Sequence, residues 1–246
     1  MITLHDVLTD LTYGEFSQLN LGNFLPGEPE SDPAPESYAQ LSSWINKGLK
    51  AIYSTFWLAS EEIEIQLYEE IGTYTLSYAF AVTNTEGSEP VKYIVDSESV
   101  PFTDNVLKIE SVYDEEGNEL PLNDHNAVDA AGDPFSLYTP TYRDLQVPWP
   151  NDLNTLAVQF RATHPKIEYA SGMDPTAIEV VIPNGLDEAL LWYVASRGFT
   201  SLGGDHVAEA NNYYQLYTGR VAEIKNAGFF IQTEPTNARF SDNGWV

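Results

Sequence analysis

The chain has 246 residues with 37 acidic against 11 basic, giving a net charge of −26, and it contains no cysteine. The length allows one or two domains, and a hydrophobic fraction of 43% suffices for a buried core, so wholesale disorder is excluded. A charge of this sign repels a phosphate backbone and no Lys/Arg cluster offers an electrostatic footprint, which argues against sequence-specific DNA binding, while the lack of cysteine removes disulfides, thiol nucleophiles and thiolate metal sites.

Residues 1–10 lack the basic start and apolar run of a secretory signal, and no window approaches the ~20 apolar residues of a membrane span. No membrane partner is expected, and the product is expected to stay in the cytoplasm unless a larger assembly carries it out. Leu4, Val7, Leu8 and Leu11 predict a short opening helix, with Thr3 and Asp6 spaced as a capping pair. Pro26, Pro29, Pro33 and Pro35, interleaved with Glu28, Glu30 and Asp32, predict a stiff acidic linker. Over 36–58, Leu41, Ile45, Leu49, Ile52 and Phe56 recur every three or four positions, with Trp44 and Tyr53 flanking the stripe, which predicts a helix.

The period then changes to two. Ile63, Ile65 and Leu67 alternate with Glu62, Glu64 and Gln66, and Tyr74, Leu76, Tyr78 and Phe80 continue the rhythm. Val106–Tyr113, the turn Asp114-Glu115-Glu116-Gly117-Asn118 and Glu119–Leu122 predict a hairpin, with Gly117 and Asn118 supplying positive φ. Further strands are expected within 91–95, 153–162 and 177–182. After Pro183 the helical period returns: Asn184 is the expected cap of a helix with Leu186, Leu190, Tyr193 and Val194 on one face, which stops at Gly203-Gly204. A second helix from Asp205 carries Val207, Ala210, Tyr213, Tyr214, Tyr217, Val221 and Ile224 and ends at Gly228. These two are expected to pack as an antiparallel hairpin.

The expected fold is therefore α+β. Residues 1–60 supply N-terminal helices with the proline-rich linker, 61–182 an antiparallel β domain, 183–228 a C-terminal helical hairpin and 229–246 an extended tail. Neither helical flank has enough apolar face for its own core, so the flanks are expected to form one bundle with the β domain inserted between them. Residues 61–182 hold 23 acidic and 5 basic residues, a net −18, against −5 for 1–60 and −3 for 183–246. The acidity thus belongs to the β domain, either as solvated strand faces and turns or as a surface that DNA passes without sticking.

Little in the chain points to chemistry. His5, His125, His164 and His206 fall in four different elements without ligand spacing, and are expected at the surface or in caps. The acidic turn 114–118 lacks the alternating ligands of a calcium loop, and a hairpin turn explains it more simply. Arg143 and Arg161 are expected as structural ion-pair partners. There is no nucleophile elbow and no phosphate loop, since no strand leads into Ser201-Leu202-Gly203-Gly204. No catalytic residue, metal or cofactor is assigned. Aromatic side chains stand out instead: 15 Tyr, 11 Phe and 5 Trp, several at positions suited to interfaces, including Phe229, Phe230, Phe240 and Trp245 in a tail too short and polar to fold alone.

The segment from Glu188 through Glu-Ala-Leu-Leu-Trp-Tyr-Val-Ala-Ser-Arg-Gly-Phe-Thr-Ser-Leu-Gly-Gly to Tyr217 resembles the helical hairpin of bacteriophage head-to-tail adaptor (connector, neck) proteins, and Trp44–Ile52 is similar to that family's N-terminal helix. The likeness covers both helical flanks, about a third of the chain; the middle of the chain departs from the smallest adaptors. It implies a viral structural protein of the virion head–tail junction: a homo-oligomeric ring, usually a dodecamer, bound beneath the portal protein and facing the tail or nozzle proteins. Double-stranded DNA would pass through during ejection without specific binding. It further implies ring or bundle contacts at Trp44, Ile45, Leu49, Leu190, Tyr193, Tyr213, Tyr217 and Val221. The tail would be an arm reaching the portal or a neighbouring subunit through Phe229, Phe230, Ile231, Phe240 and Trp245. An alternative expectation is a tail or baseplate binding module whose β domain recognises a glycan or receptor; a carboxylate hydrolase is a remote third.

Overall fold

The computed structural model describes residues 2–17, 35–86, 90–128, 132, 135–148, 154–170 and 172–228. Pro26, Pro29, Pro33 and the whole of 229–246 lie outside the described residues. Among the described residues the protein is α+β, with four α-helices and antiparallel sheets. The chain forms two compact units. One takes the described residues of Met1–Gly48, Thr55–Trp57 and Glu168–Val246; the other takes Leu49–Ser54 and Leu58–Ile167.

The helical unit opens with β1 (Ile2–Thr3) and α1 (Leu4–Asp10). Thr3 caps α1 in a complete capping box: its hydroxyl accepts from the Asp6 amide at 3.3 Å, and the Asp6 carboxylate accepts from the Thr3 amide at 2.8 Å. Leu4, Val7, Leu8 and Leu11 are buried, as their spacing requires. One π-helical turn (Leu11–Glu15) then brings Phe16 into the core. Helix α2 (Pro35–Thr55) starts on the last proline of the expected linker, because a proline at the first helical position gives up only an amide that had no partner anyway. Its residues 49–54 group with the second unit.

Strand β9 (Glu179–Val180) pairs with β1 in the register Ile2 to Val180 and Thr3 to Glu179, so it serves the helical unit and not the β sheets among which 177–182 was expected. Helix α3 (Asp187–Leu202) is not capped by Asn184: Leu186 occupies the cap without a side-chain bond, and the Asp187 carboxylate accepts from the Gly185 amide at 2.9 Å instead. Asp187, in the first turn, sets its negative charge at the positive end of the helix dipole. Gly203 and Gly204 turn the chain at φ +65° and +56°, and α4 (Val207–Ala227) ends on Gly228 in the left-handed conformation. Tyr193 against Tyr217 and Phe199 against Tyr213 pair α3 with α4 antiparallel.

The second unit holds a four-stranded antiparallel sheet in the order β4 (Ile94–Val95), β2 (Ser60–Gln66), β8 (Thr155–Ala162), β5 (Val106–Tyr113), and a three-stranded one in the order β3 (Thr73–Thr75), β7 (Asp144–Gln146), β6 (Tyr138–Thr141). Alternation places Ile65, Leu156, Val158, Phe160, Ile109 and Val112 in the core and Glu62 and Glu64 outside. The expected strand rhythm breaks after Leu76: Tyr78–Phe80 form a 3₁₀ turn, and Tyr93 takes the core place that the rhythm gave to Tyr78. The Tyr93 hydroxyl accepts from the Thr75 amide and donates to the Thr75 carbonyl, which ends β3 without a further strand partner. In the hairpin after β5 only Gly117 has positive φ; Asn118 instead clasps the Asp114 carboxylate, and the second limb leaves after Glu119 and Leu120, with Leu122 bridging Leu137.

Two glycines on helices behave oppositely. A Cβ on Gly198 would lie 2.5 Å from the Phe16 ring, whereas one on Gly219 would meet nothing within 4 Å. Gly198→Val is expected to lower the unfolding free energy by about 1–3 kcal/mol through overpacking, and Gly219→Ala to raise it by about 0.5–1 kcal/mol through helix propensity, both read by urea denaturation. Equal effects of the two would contradict the packing described.

Candidate functional site

The residues expected to make ring or bundle contacts gather mainly in the helical unit, in or beside its interior. Ile45, Leu190, Tyr193 and Tyr217 are buried; Trp44, Tyr213 and Val221 are half-buried. Leu49 is also buried, in the second unit. Gly48 lets α2 approach α3 so closely that a Cβ there would stand 2.7 Å from Leu190 and 3.0 Å from Tyr193. Tyr193 is the hub: its ring meets Tyr217 edge-on at 5.2 Å, the Arg197 guanidinium lies 5.1 Å from its centroid, and its hydroxyl accepts from Arg197 at 3.1 Å. Phe199 stacks on Tyr213 at 5.3 Å. Phe229, Phe230, Ile231, Phe240 and Trp245 lie outside the described residues.

What the helical hairpin leaves open is a shallow groove between α3 and α4. Glu188 and Trp192 line one side and Asn212, Leu216, Gly219 and Glu223 the other, with Arg220 spanning them. Arg220 reaches Glu223 at 2.9 Å and Glu188 at 3.5 Å. Its volume is about 360 Å³, and Leu216 and the adjacent Tyr214 are exposed. Only Ala210, Tyr217 and Ile224 of α4 are buried. Glu188 is expected from the sequence only as an acid in the first turn of α3, and the other groove residues carry no signal there beyond the spacing of Asn212, Leu216, Gly219 and Glu223 at intervals of three or four. At the base of the same unit, burial holds the Glu15 carboxyl above the ordinary glutamate range, reinforced by the negative charges of Asp10 and Glu188.

The acidic turn is structural. Asp114 accepts from the Glu116 and Asn118 amides at 3.0 and 2.8 Å, and these bonds, led by that from the Asn118 side chain, hold its carboxyl below the usual range. Among the described residues no group of three or more His, Asp or Glu side chains could hold a metal ion, and no helix is long and apolar enough to cross a membrane. Arg161 pairs with Glu110 at 2.7 Å, as expected; Arg143 instead lies over the Tyr142 ring at 5.7 Å. The histidines divide. His125 stacks on Tyr138 and His206 touches Phe199, while His164, expected at the surface, is only 8% exposed, edge-on to Tyr53 with Nδ1 against the Pro165 carbonyl. A neutral imidazole packs there as an aromatic ring.

Compared with known proteins, the sequence matches no protein-family model and no curated protein.

Burial pushes the His164 imidazole below its ordinary value of 6.5, with the Pro165 hydrogen bond opposing. The folded state therefore resists a proton that the unfolded chain accepts. Stability is fully present above pH 6.5 and falls as pH drops below it, by at most about 1.4 kcal/mol per pH unit for one proton. Urea denaturation of the wild type and His164→Gln between pH 7.5 and 5 is expected to give a difference that shrinks toward acid; a constant difference would count against a buried neutral His164.

Proposed function

We propose that this chain is a structural head-to-tail adaptor of a tailed bacteriophage virion, without catalytic activity. Copies join as a ring between the portal protein and the tail or nozzle proteins. Double-stranded DNA passes through the ring during ejection without specific binding. In this reading the N- and C-terminal helices form one bundle, the antiparallel β domain is inserted between them, and the tail 229–246 reaches the portal or a neighbouring subunit.

The observation that carries the reading is the α3–α4 hairpin: its tyrosine stripe is spent on its own core, while the Trp192–Leu216 groove and most of α4 are left to solvent. A helix of 21 residues that buries three has surface available to a neighbour. The grouping of α1, most of α2, α3 and α4 into one unit also supports an adaptor with an inserted β domain. The net −18 of residues 61–182 suits a surface that DNA slides past.

Light scattering coupled to size exclusion, on the full chain and on a chain lacking 229–246, each alone and with the portal protein of the same phage, tests the reading. The full chain is expected to bind portal as a ring and the shortened chain to lose most of that binding. A monomer that fails to bind portal in either form would overturn it.

A further inference from the structure

The β6–β7 hairpin carries unlike features at its two ends. Its turn, Thr141–Asp144, presents Tyr142 and Arg143 to solvent, with Tyr142 56% exposed and the Arg143 guanidinium over its ring. The tip is rigidly held. Asp144 accepts from the Thr75 and Thr141 hydroxyls, each at 2.7 Å, and the Arg143 carbonyl accepts from the Leu76 amide at 2.8 Å. At the open end, Leu137 and Val147 help floor a cavity of about 300 Å³ with Leu67, Leu120 and Leu156, and Asp114, Glu115 and Glu116 stand at its rim. Two of these carboxylates are fixed in place: Asp114 accepts from the Asn118 side chain at 3.0 Å and Glu115 from the Thr155 amide at 2.9 Å.

Charge makes the pairing of these two ends selective. Between 58 and 167 there are five basic residues against 20 acidic. Lys92 donates to the Ala79 carbonyl, Lys108 and Arg161 bind Glu110, and Lys166 has interactions of its own. Arg143 makes no ion pair or hydrogen bond through its side chain among the described residues: its guanidinium lies over the Tyr142 ring, and its charge is felt by the neighbouring Asp144. Tyrosine and arginine are also the side chains that most often anchor interfaces.

We propose that the Tyr142–Arg143 tip of one copy docks into the acid-rimmed pocket of a second copy of this chain. Tip and pocket are about 13 Å apart, four strand residues along one hairpin, so a copy cannot fill its own pocket. The contact is head-to-tail, leaving each copy with a free tip and a free pocket, and it propagates to a ring or a filament. Copies of so acidic a unit repel one another in general, so only a local match of this kind holds them. The contact is small against the ~1,200–2,000 Å² of a stable interface and acts as one weak link beside others. It uses only the β unit and does not rest on the adaptor reading.

Because the chain has no cysteine, one introduced thiol per copy can form only intermolecular disulfides. Pro140→Cys beside the tip and Pro148→Cys at the pocket leave every charge in place, and both positions are exposed. Oxidising an equal mixture is expected to trap the mixed dimer well above the half of all dimers that random pairing gives. Adding Arg143→Glu to the Pro140→Cys copy is expected to cut that yield about tenfold, and adding Glu116→Arg to the Pro148→Cys copy to restore it. A mixed dimer at no more than the half of all dimers that random pairing gives, or a yield indifferent to Arg143→Glu, overturns the contact. Loss of trapping with portal binding intact would remove this link alone, whereas intact trapping without portal binding would remove the adaptor reading alone.

Discussion

The helical unit depends on two places where a side chain is missing. Gly48 on α2 and Gly198 on α3 face different neighbours, the first Leu190 and Tyr193, the second Phe16 and Trp44. At both, the closest neighbouring atoms lie where a Cβ would have to be. A glycine inside a helix costs about 0.5–1 kcal/mol relative to alanine, and here the cost is offset by aromatic and leucine side chains seated directly against helix backbone. Tyr193 can then be wedged between α2 and α4 and still keep its hydroxyl bonded to Arg197.

That arrangement explains why Tyr193 and Tyr217 pack within the helical unit. A buried tyrosine needs a partner for its hydroxyl and a ring to pack against, and Tyr193 finds both within the unit, its hydroxyl on Arg197 and its ring on Tyr217. The surface left over is made by residues one helical face away: Trp192, Leu216 and Tyr214, which carry no regular stripe of their own. Interface and core are thus drawn from the same residue types on the same helices, and periodicity alone separates them poorly.

Periodicity served well where a single element decides its own form. The capping box at Thr3 and Asp6, the buried faces of α1, α2 and α3, the bounds of β5 and the terminal Gly228 were all legible, because each rests on residues within a turn or two of one another. It failed where the partner is distant. Nothing near Glu179 announces that Ile2 will pair with it, nothing near Tyr78 announces that Tyr93 will claim the core, and the burial of His164 depends on Tyr53, more than a hundred residues earlier. The groove on α3 and α4 was missed for a related reason: it is defined by two helices together, and its residues are polar as often as apolar. Arg143 was read as an ion-pair partner because acidic neighbours are plentiful in sequence, yet the turn geometry directs it over Tyr142 instead.

The pairing of β1 with β9 sets an order on biosynthesis. Ile2 and Thr3 find their strand partner only at Glu179 and Val180, and the Leu4 amide its acceptor at Ile178. A nascent chain emerging at roughly 5–20 residues per second therefore holds its first helix without that anchor for on the order of ten seconds or more, while the whole of 58–167 leaves the ribosome. The β unit is complete before the helical unit can close, so the apolar faces of α1 and α2 wait exposed. Over that interval the first strand and helix lack the partners that the C-terminal half of the chain supplies, so their apolar side chains are the surfaces a co-translational chaperone would meet first.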